Sequence, residues 1–281
     1  MARDHIEFIQ AQLIPWRVLP PTTARPGVEM RMLSRDPEIG ASSLLLRYPK
    51  GFAINEPHYL DNDEEFFVLD GELEIGRTRY GKGSYAYLPD GYPRPRMATP
   101  DGALVLTFFE GKHKNVFGGA KDFRKDLLVE KIDTTTAAWA GIVDPKVKGG
   151  GLRKIMLRED AKTGERTWIL RMGANDPKKV THSQLEIHPF VEEMLLLDGS
   201  ISMSIGVLHQ GAYFWRPGGV QHGPVGTIPG CTCFFRCKGG PFSTDWTKES
   251  YPIDYNAPYD PTLPPDLKAI ARPLGAPQPI A

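Results

Sequence analysis

The chain has 281 residues, with 34 basic and 34 acidic side chains and a formal net charge of zero. Such a balance gives no basic field for nucleic acid, and no apolar run has the length of a membrane-spanning helix. The length suffices for one large core or two ordinary ones. The N-terminus, Met-Ala-Arg-Asp-His-Ile-Glu, lacks the continuous apolar segment of a secretory signal, so a cytoplasmic location is expected. Cys231, Cys233 and Cys237 are the only cysteines, odd in number and close together. They read as reduced, small hydrophobic side chains and not as a disulfide framework or a zinc knuckle.

In chain order, short apolar runs at 43–47, 66–69, 104–109, 167–170, 194–197 and 231–235 are each bounded by Gly, Pro, Asp or Asn, which is the pattern of β-strands. Asp70-Gly71 and Asp198-Gly199 are hairpin-type turn signals. Helix signals are few and short, over 120–127 and 265–271. Residues 112–128 are expected to link two halves, with the segment from 129 supplying the leading strand of the second. The last 41 residues hold nine prolines, a composition that disfavours any long helix or sheet. The aromatics of that tail, Trp246, Tyr251, Tyr255 and Tyr259, suggest that it packs along the body of the protein.

The strongest organisational feature is an internal repeat. Residues 64–102 align without a gap with 192–230 at a constant offset of 128, pairing Glu64 with Glu192, Asp70 with Asp198, Gly71 with Gly199, Gly83 with Gly211, Pro89 with Pro217 and Gly91 with Gly219. Upstream, at a shorter offset, Met32 matches Met156 and 40–47 matches 164–171; Ile9 and Trp16 match Ile132 and Trp139. The chain therefore reads as two copies of one domain, each of the size of a small β-barrel. The expected boundaries are 1–111 and 129–240 for the copies and 241–281 for the tail.

Chemistry concentrates between His182 and His222. Side chains alternate in a strand, so His182, Glu186, His188 and Glu192 share one face if the strand runs unbroken. The turn at Arg216-Pro217-Gly218-Gly219 then returns His222 beside that row. Glu193, one residue on from Glu192, is expected on the opposite face, at a surface or interface.

These residues resemble the two short motifs of the cupin superfamily. His188, Glu192 and Gly199 match the second histidine, the glutamate and the glycine of the first motif, and Gly211, Pro217, Gly219 and His222 match the second motif without a gap. Glu186 stands where the family usually has its first histidine. The resemblance implies an all-β bicupin, two tandem double-stranded β-helix (jelly-roll) barrels. It also implies a divalent metal on His188, Glu192 and His222, with Glu186 either a further ligand or a catalytic base. The first-half equivalent of His182 is Ile54, so a purely structural position, or a role orienting a ligand or the substrate, is expected of His182 rather than direct coordination. Two imidazoles and a carboxylate suit Fe(II), the favoured metal, as well as Mn, Ni or Zn, and leave positions open for water, substrate or dioxygen. In the first half the equivalent positions are His58, Leu60, Glu64 and Arg94; leucine cannot ligate and a guanidinium does not give up its proton. That copy is expected to have lost its site, with Arg94 holding Glu64 instead.

For a protein resembling cupins, the expected activity is metal-dependent chemistry on a small oxygenated organic molecule, foremost Fe(II)-dependent dioxygenase cleavage of a carbon–carbon bond. The alternatives are a lyase, isomerase or hydrolase using Mn, Ni or Zn, and a non-catalytic binding or sensor module like the cupins attached to anti-sigma factors. A homodimer is expected, because two barrels in one chain mimic a cupin dimer and the aromatic tail offers a contact to another subunit.

Overall fold

The computed structural model describes residues 3–119, 121–142 and 151–280. Antiparallel sheets build two compact units, the first from Pro15–Ala137 with Arg3, the second from Asp4–Ile14 with Ala138–Ile280. In the first, the main sheet runs in the order Val129–Asp133, Ser84–Leu88, Glu64–Ile75, Ala103–Phe109, Ser42–Tyr48, Glu29–Arg35 and Arg17–Val18. The second unit repeats this order with Ile6–Gln10, Ala212–Arg216, Val191–Met203, Cys231–Lys238, Arg166–Met172, Leu152–Glu159 and Ala140–Ile142.

The matching orders follow from matching sequence, because inward positions carry the same kind of side chain in both copies. Leu44, Leu46, Phe66, Val68 and Val105 fill the first core, and Trp168, Leu196, Phe214, Cys233 and Phe235 the second. All three cysteines are buried free thiols, and burial pushes the Cys237 thiol up to about 12.

One element departs from the expected division. Val129–Asp133 pairs with Ser84–Leu88 of the first unit, while Ile6–Gln10 pairs with Ala212–Arg216 of the second. The leading strands of the two copies are thus exchanged relative to their place in sequence. Both are short and apolar enough to be strands, but the sheet edge each joins is a long-range choice that local pattern does not carry.

The Asp-Gly pairs are not hairpin turns either. Glu64–Ile75 and Val191–Met203 run straight through them as single strands of 12 and 13 residues. The pairing with the neighbouring strand slips a residue beside each pair, a β-bulge that bends the strand. Gly71 and Gly199 have φ of +71° and +79°, and a Cβ there would lie 2.2 and 2.1 Å from the carbonyl oxygens of Gly102 and Gly230. Only glycine fits. The hairpins fall further on, between Ile75 and Thr78 and between Met203 and Gly206.

In the tail, Asp245–Pro252 forms an eight-residue strand on His182–Ile187. The proline count concealed this, because residues 242–251 contain none. Helix is confined among the described residues to 3₁₀ turns at Ala11–Leu13 and Lys125–Leu127 and one turn at Pro265–Lys268. The helix expected over 120–127 is therefore only its last turn, and Ala120 lies outside the described residues. Among the described residues no helix is long and apolar enough to cross a membrane.

Candidate metal centre

Backbone pairing in the second unit brings the candidate ligands together. Glu186 lies near the end of strand His182–Ile187, His188 just beyond it, and Glu192 near the start of Val191–Met203. The loop after Ala212–Arg216 returns as the sequence suggests: Glu186 N–H donates to the His222 carbonyl at 2.9 Å and His222 N–H donates back at 3.0 Å. Gly219 N–H donates to the His188 carbonyl at 2.8 Å.

Both imidazoles are held in one tautomer. His188 Nδ1 lies 2.8 Å from the Ser243 carbonyl oxygen and His222 Nδ1 lies 3.1 Å from that of Val220. A carbonyl only accepts, so each Nδ1 carries the hydrogen, and in the neutral ring Nε2 presents a lone pair. The His188 Nε2 atom is 3.6 Å from a Glu186 oxygen and 3.5 Å from a Glu192 oxygen, and His222 Nε2 is 3.7 Å from the other Glu192 oxygen. Donor atoms of Glu186, His188 and His222 all lie within 4.8 Å of one another. His188 Nε2 is buried and has no hydrogen-bond partner among the described residues. Lone pairs and carboxylate oxygens facing one another without a hydrogen between them repel, and a shared cation removes that repulsion. The residues present therefore fit a divalent metal.

Electrostatics keep the donors ready. Burial first, and the nearby Arg216 second, push the His222 imidazole down to about 4, so it is neutral over the physiological range. Arg216, 2% exposed, pairs with Glu192 and also with Glu7. Burial alone would raise the Glu7 carboxyl, but hydrogen bonds from Arg216, then from His5, hold it at about 2. Arg216 thus ties down one oxygen of Glu192 and leaves the other, nearest His188, free to ligate.

The site forms one end of a cavity of about 280 Å³. Glu186, Glu192, Arg216 and His222 supply its polar end, and Met156, Trp168, Met194, Phe214, Phe235 and Phe242 its walls. Lys154 and Arg166 also face it.

A family model described as "Domain of unknown function (DUF4437)" matches residues 7–243. The chain belongs to the DUF4437 family. No curated protein matches it in sequence. Among solved structures, a Nostoc punctiforme protein named as a "putative dioxygenase" superposes with TM-score 0.76 at 18% identity, covering 88% of this chain and 86% of that one. Oxalate decarboxylase of Bacillus subtilis superposes with TM-score 0.53 at 13% identity, covering 85% and 79%. A second structure of that enzyme, described with Mn(II) centers, gives 0.54 at 12% identity with the same coverage. These likenesses show a cupin fold.

For this DUF4437 chain, the structure gathers Glu186, His188, Glu192 and His222 but not His182. The pairing of His182–Ile187 with its partner strand is irregular between Gln184 and Glu186, so the alternation breaks and His182 sits exposed opposite Pro252. Glu193 does point away from the site, but it is only 2% exposed and accepts hydrogen bonds from Tyr213 at 2.6 Å and Arg236 at 2.9 Å. Glu7 and Arg216 went unnoticed in the sequence. The available signal was a charged residue within each of two apolar strands, Ile-Glu-Phe-Ile and Ala-Tyr-Phe-Trp-Arg, since a buried charge needs a partner. In the first unit Arg94 Nη1 donates to Glu64 at 2.6 Å, and Arg25, also unanticipated, donates to both Glu64 oxygens at 3.1 Å.

Proposed function

We propose that the protein is a tandem bicupin whose second barrel is a metal-dependent enzyme acting on a small oxygenated organic molecule, with Fe(II)-dependent oxygenolytic cleavage of a carbon–carbon bond as its reaction. The observation that carries the reading is the pair of tautomer-fixed imidazoles, their Nε2 lone pairs turned toward two carboxylates at the end of an apolar cavity. His188, His222 and Glu186 would hold the metal, with the free oxygen of Glu192 as a further donor. Two histidines with a carboxylate and open positions are the donor set of non-haem Fe(II) oxygenases, and the Nostoc punctiforme neighbour carries dioxygenase in its name. Bound there, the metal supplies a Lewis acid that orients an oxygenated substrate and a centre for dioxygen chemistry.

The chain's own residues do the rest. The aromatic and methionine walls exclude water and take the apolar body of a substrate. Such walls fit a molecule with an apolar part better than a bare dicarboxylate. Lys154 and Arg166 face the cavity where the first copy has Met30 and Ser42. Arg166 Nη2 donates to Glu159 at 2.8 Å, while its Nε is buried without a hydrogen-bond partner among the described residues; that Nε, with the Lys154 ammonium, would recognise a negative group on the substrate. Glu186, with 22% of its side chain exposed, is positioned to ligate or to take a proton from a bound substrate.

Metal content by inductively coupled plasma mass spectrometry, on the protein and on a His188→Ala, His222→Ala double variant, tests the centre. About one equivalent of metal that disappears in the variant is expected; no metal in either protein after reconstitution refutes the reading. Iron directs an oxygen-uptake screen with 1,3-diketones, catechols and hydroxy acids, in which uptake with matching substrate loss is expected. Manganese with carbon dioxide release and no oxygen uptake would replace cleavage by decarboxylation, and metal without turnover would leave a binding module. Glu186→Gln separates its two roles, since loss of metal marks a ligand and retained metal with lost turnover marks a base. A homodimer in the cytoplasm remains part of the proposal, checked by light scattering and cell fractionation.

A further inference from the structure

Around Glu64 the first unit buries two guanidinium groups against one carboxylate. At the positions equivalent to Glu186, His188, Glu192 and His222 it carries His58, Leu60, Glu64 and Arg94, and Arg25 joins them. Arg25 and Arg94 are each 1% exposed and Glu64 is 2% exposed. Two guanidinium groups against one carboxylate leave a formal charge of +1 in a core otherwise filled by residues such as Leu60, Phe66 and Leu88.

The two arginines differ in how they are satisfied. Arg25 is fully engaged: Nε reaches the Tyr48 hydroxyl at 3.2 Å, Nη1 reaches the carbonyl of Ala24 at 3.0 Å and Asn115 Oδ1 at 3.3 Å, and Nη2 reaches both oxygens of Glu64. Arg94 uses only Nη1, which donates to Glu64. Its Nε and Nη2 are buried and find no partner among the described residues. Those two atoms form one edge of the guanidinium, with parallel N–H bonds, the fork that takes a planar oxyanion through two hydrogen bonds.

Two more buried groups are unfilled, the Tyr80 hydroxyl and His58 Nε2. His58 is tied to Arg94 through the backbone, its N–H donating to the Arg94 carbonyl at 3.0 Å and the Arg94 N–H donating back at 2.8 Å. His58 adds no charge, because burial, helped by the positive charges of Arg94 and Arg25, holds its imidazole below the ordinary value; its Nδ1–H donates to the Glu56 carbonyl at 2.9 Å. Its Nε2 is therefore a hydrogen-bond acceptor.

We propose that the first unit binds a small monovalent planar oxyanion, of the carboxylate or bicarbonate class, on the Nε–Nη2 edge of Arg94. One negative charge completes the neutralisation that Glu64 leaves half done, and the fork selects a planar pair of oxygens over a spherical ion. The copy that lost its metal ligands has become an anion site, independent of whether the second unit carries metal. Bicarbonate also offers an O–H, for which His58 Nε2 is the waiting acceptor; formate offers none.

The test uses the full chain carrying His188→Ala and His222→Ala, so that metal in the second unit cannot respond. Because the groups are sealed, the protein is unfolded in urea and refolded in chloride-free buffer with formate, bicarbonate or chloride at matched ionic strength. Above saturation the thermal midpoint should climb by roughly 3–6 °C per tenfold increase in formate or bicarbonate, with chloride giving no such climb. Arg94→Lys keeps the charge beside Glu64 but lacks the fork, and should abolish the climb. Ion chromatography of the unfolded wild-type protein should release about one formate or bicarbonate per chain after exchange, which keeps the test open if the variant fails to fold. Equal responses to chloride and formate, a response that survives Arg94→Lys, or no released anion and no climb would each overturn the proposal, the last leaving buried water on the fork.

Discussion

Replacing Glu7 with glutamine tests whether the N-terminal strand anchors the candidate metal centre. Glutamine keeps the volume and mimics the protonated acid, so its cost approximates that of neutralising Glu7 in place. A carboxyl held at about 2 in the folded chain, against an ordinary value of 4.5, marks a stabilisation of roughly 3 kcal/mol at about 1.4 kcal/mol per pH unit. Breaking a buried ion pair by removing one partner costs about 3–5 kcal/mol, which agrees. The sign follows from the depressed pKa: the contribution is complete above pH 4.5 and is lost as pH falls toward 2. Urea unfolding of metal-free protein, read by tryptophan fluorescence, measures it, since Trp139, Trp168, Trp215 and Trp246 all belong to the second unit. Wild type and Glu7→Gln should differ by about 3 kcal/mol at pH 7 and by only about 1 kcal/mol at pH 3. A difference below about 1 kcal/mol at pH 7, or one unchanged at pH 3, would refute the reasoning.

Other consequences are as direct. Gly199→Ala should destabilise the second unit by at least about 2 kcal/mol, from positive φ and collision with Gly230. Gly219→Ala, at φ +83° but with nothing within 4 Å, should cost only about 1 kcal/mol; equal losses in a urea titration would count against the close-packed bulge. Because burial and Arg216 hold the His222 imidazole at about 4, its ring should stay neutral in the metal-free protein until pH falls toward that value. An imidazole NMR signal of the metal-free protein that is missing in His222→Ala and titrates near the ordinary imidazole value would contradict this. Once a substrate is found, Lys154→Ala should raise KM by about tenfold with kcat little changed, the signature of binding without chemistry; an equal fall in kcat would place Lys154 in the reaction.

Local sequence already contained the repeat, the strand character of the apolar runs and the row that carries the donors, because side-chain alternation is a property of extended backbone. Glu186, His188 and Glu192 were legible as candidates for that reason, and His222 through the turn before it and the resemblance to the cupin motifs, which also marked Leu60 and Arg94 of the first copy as unable to ligate. His182 shares the face only if the strand runs unbroken, and the irregularity between Gln184 and Glu186 has no local signature apart from its partner strand. Asp198-Gly199 was misread as a turn because Asp-Gly serves both; the close approach of Gly230 decides that it is a bend within a strand.

Tertiary structure alone decided which sheet each leading strand joins and which buried charges meet. Glu7 and Arg216 are 209 residues apart, and Arg25 and Glu64 are 39 apart. Spacing along a strand fixes which way a side chain points, but not which distant strand lies against it. Thus the sequence by itself determined the candidate donor types, while the fold supplied the arginine that pairs with Glu192, the carbonyls that place a hydrogen on Nδ1 of both imidazoles and the walls of the cavity. Those are long-range contacts, set by how the sheets close, and no local period encodes them.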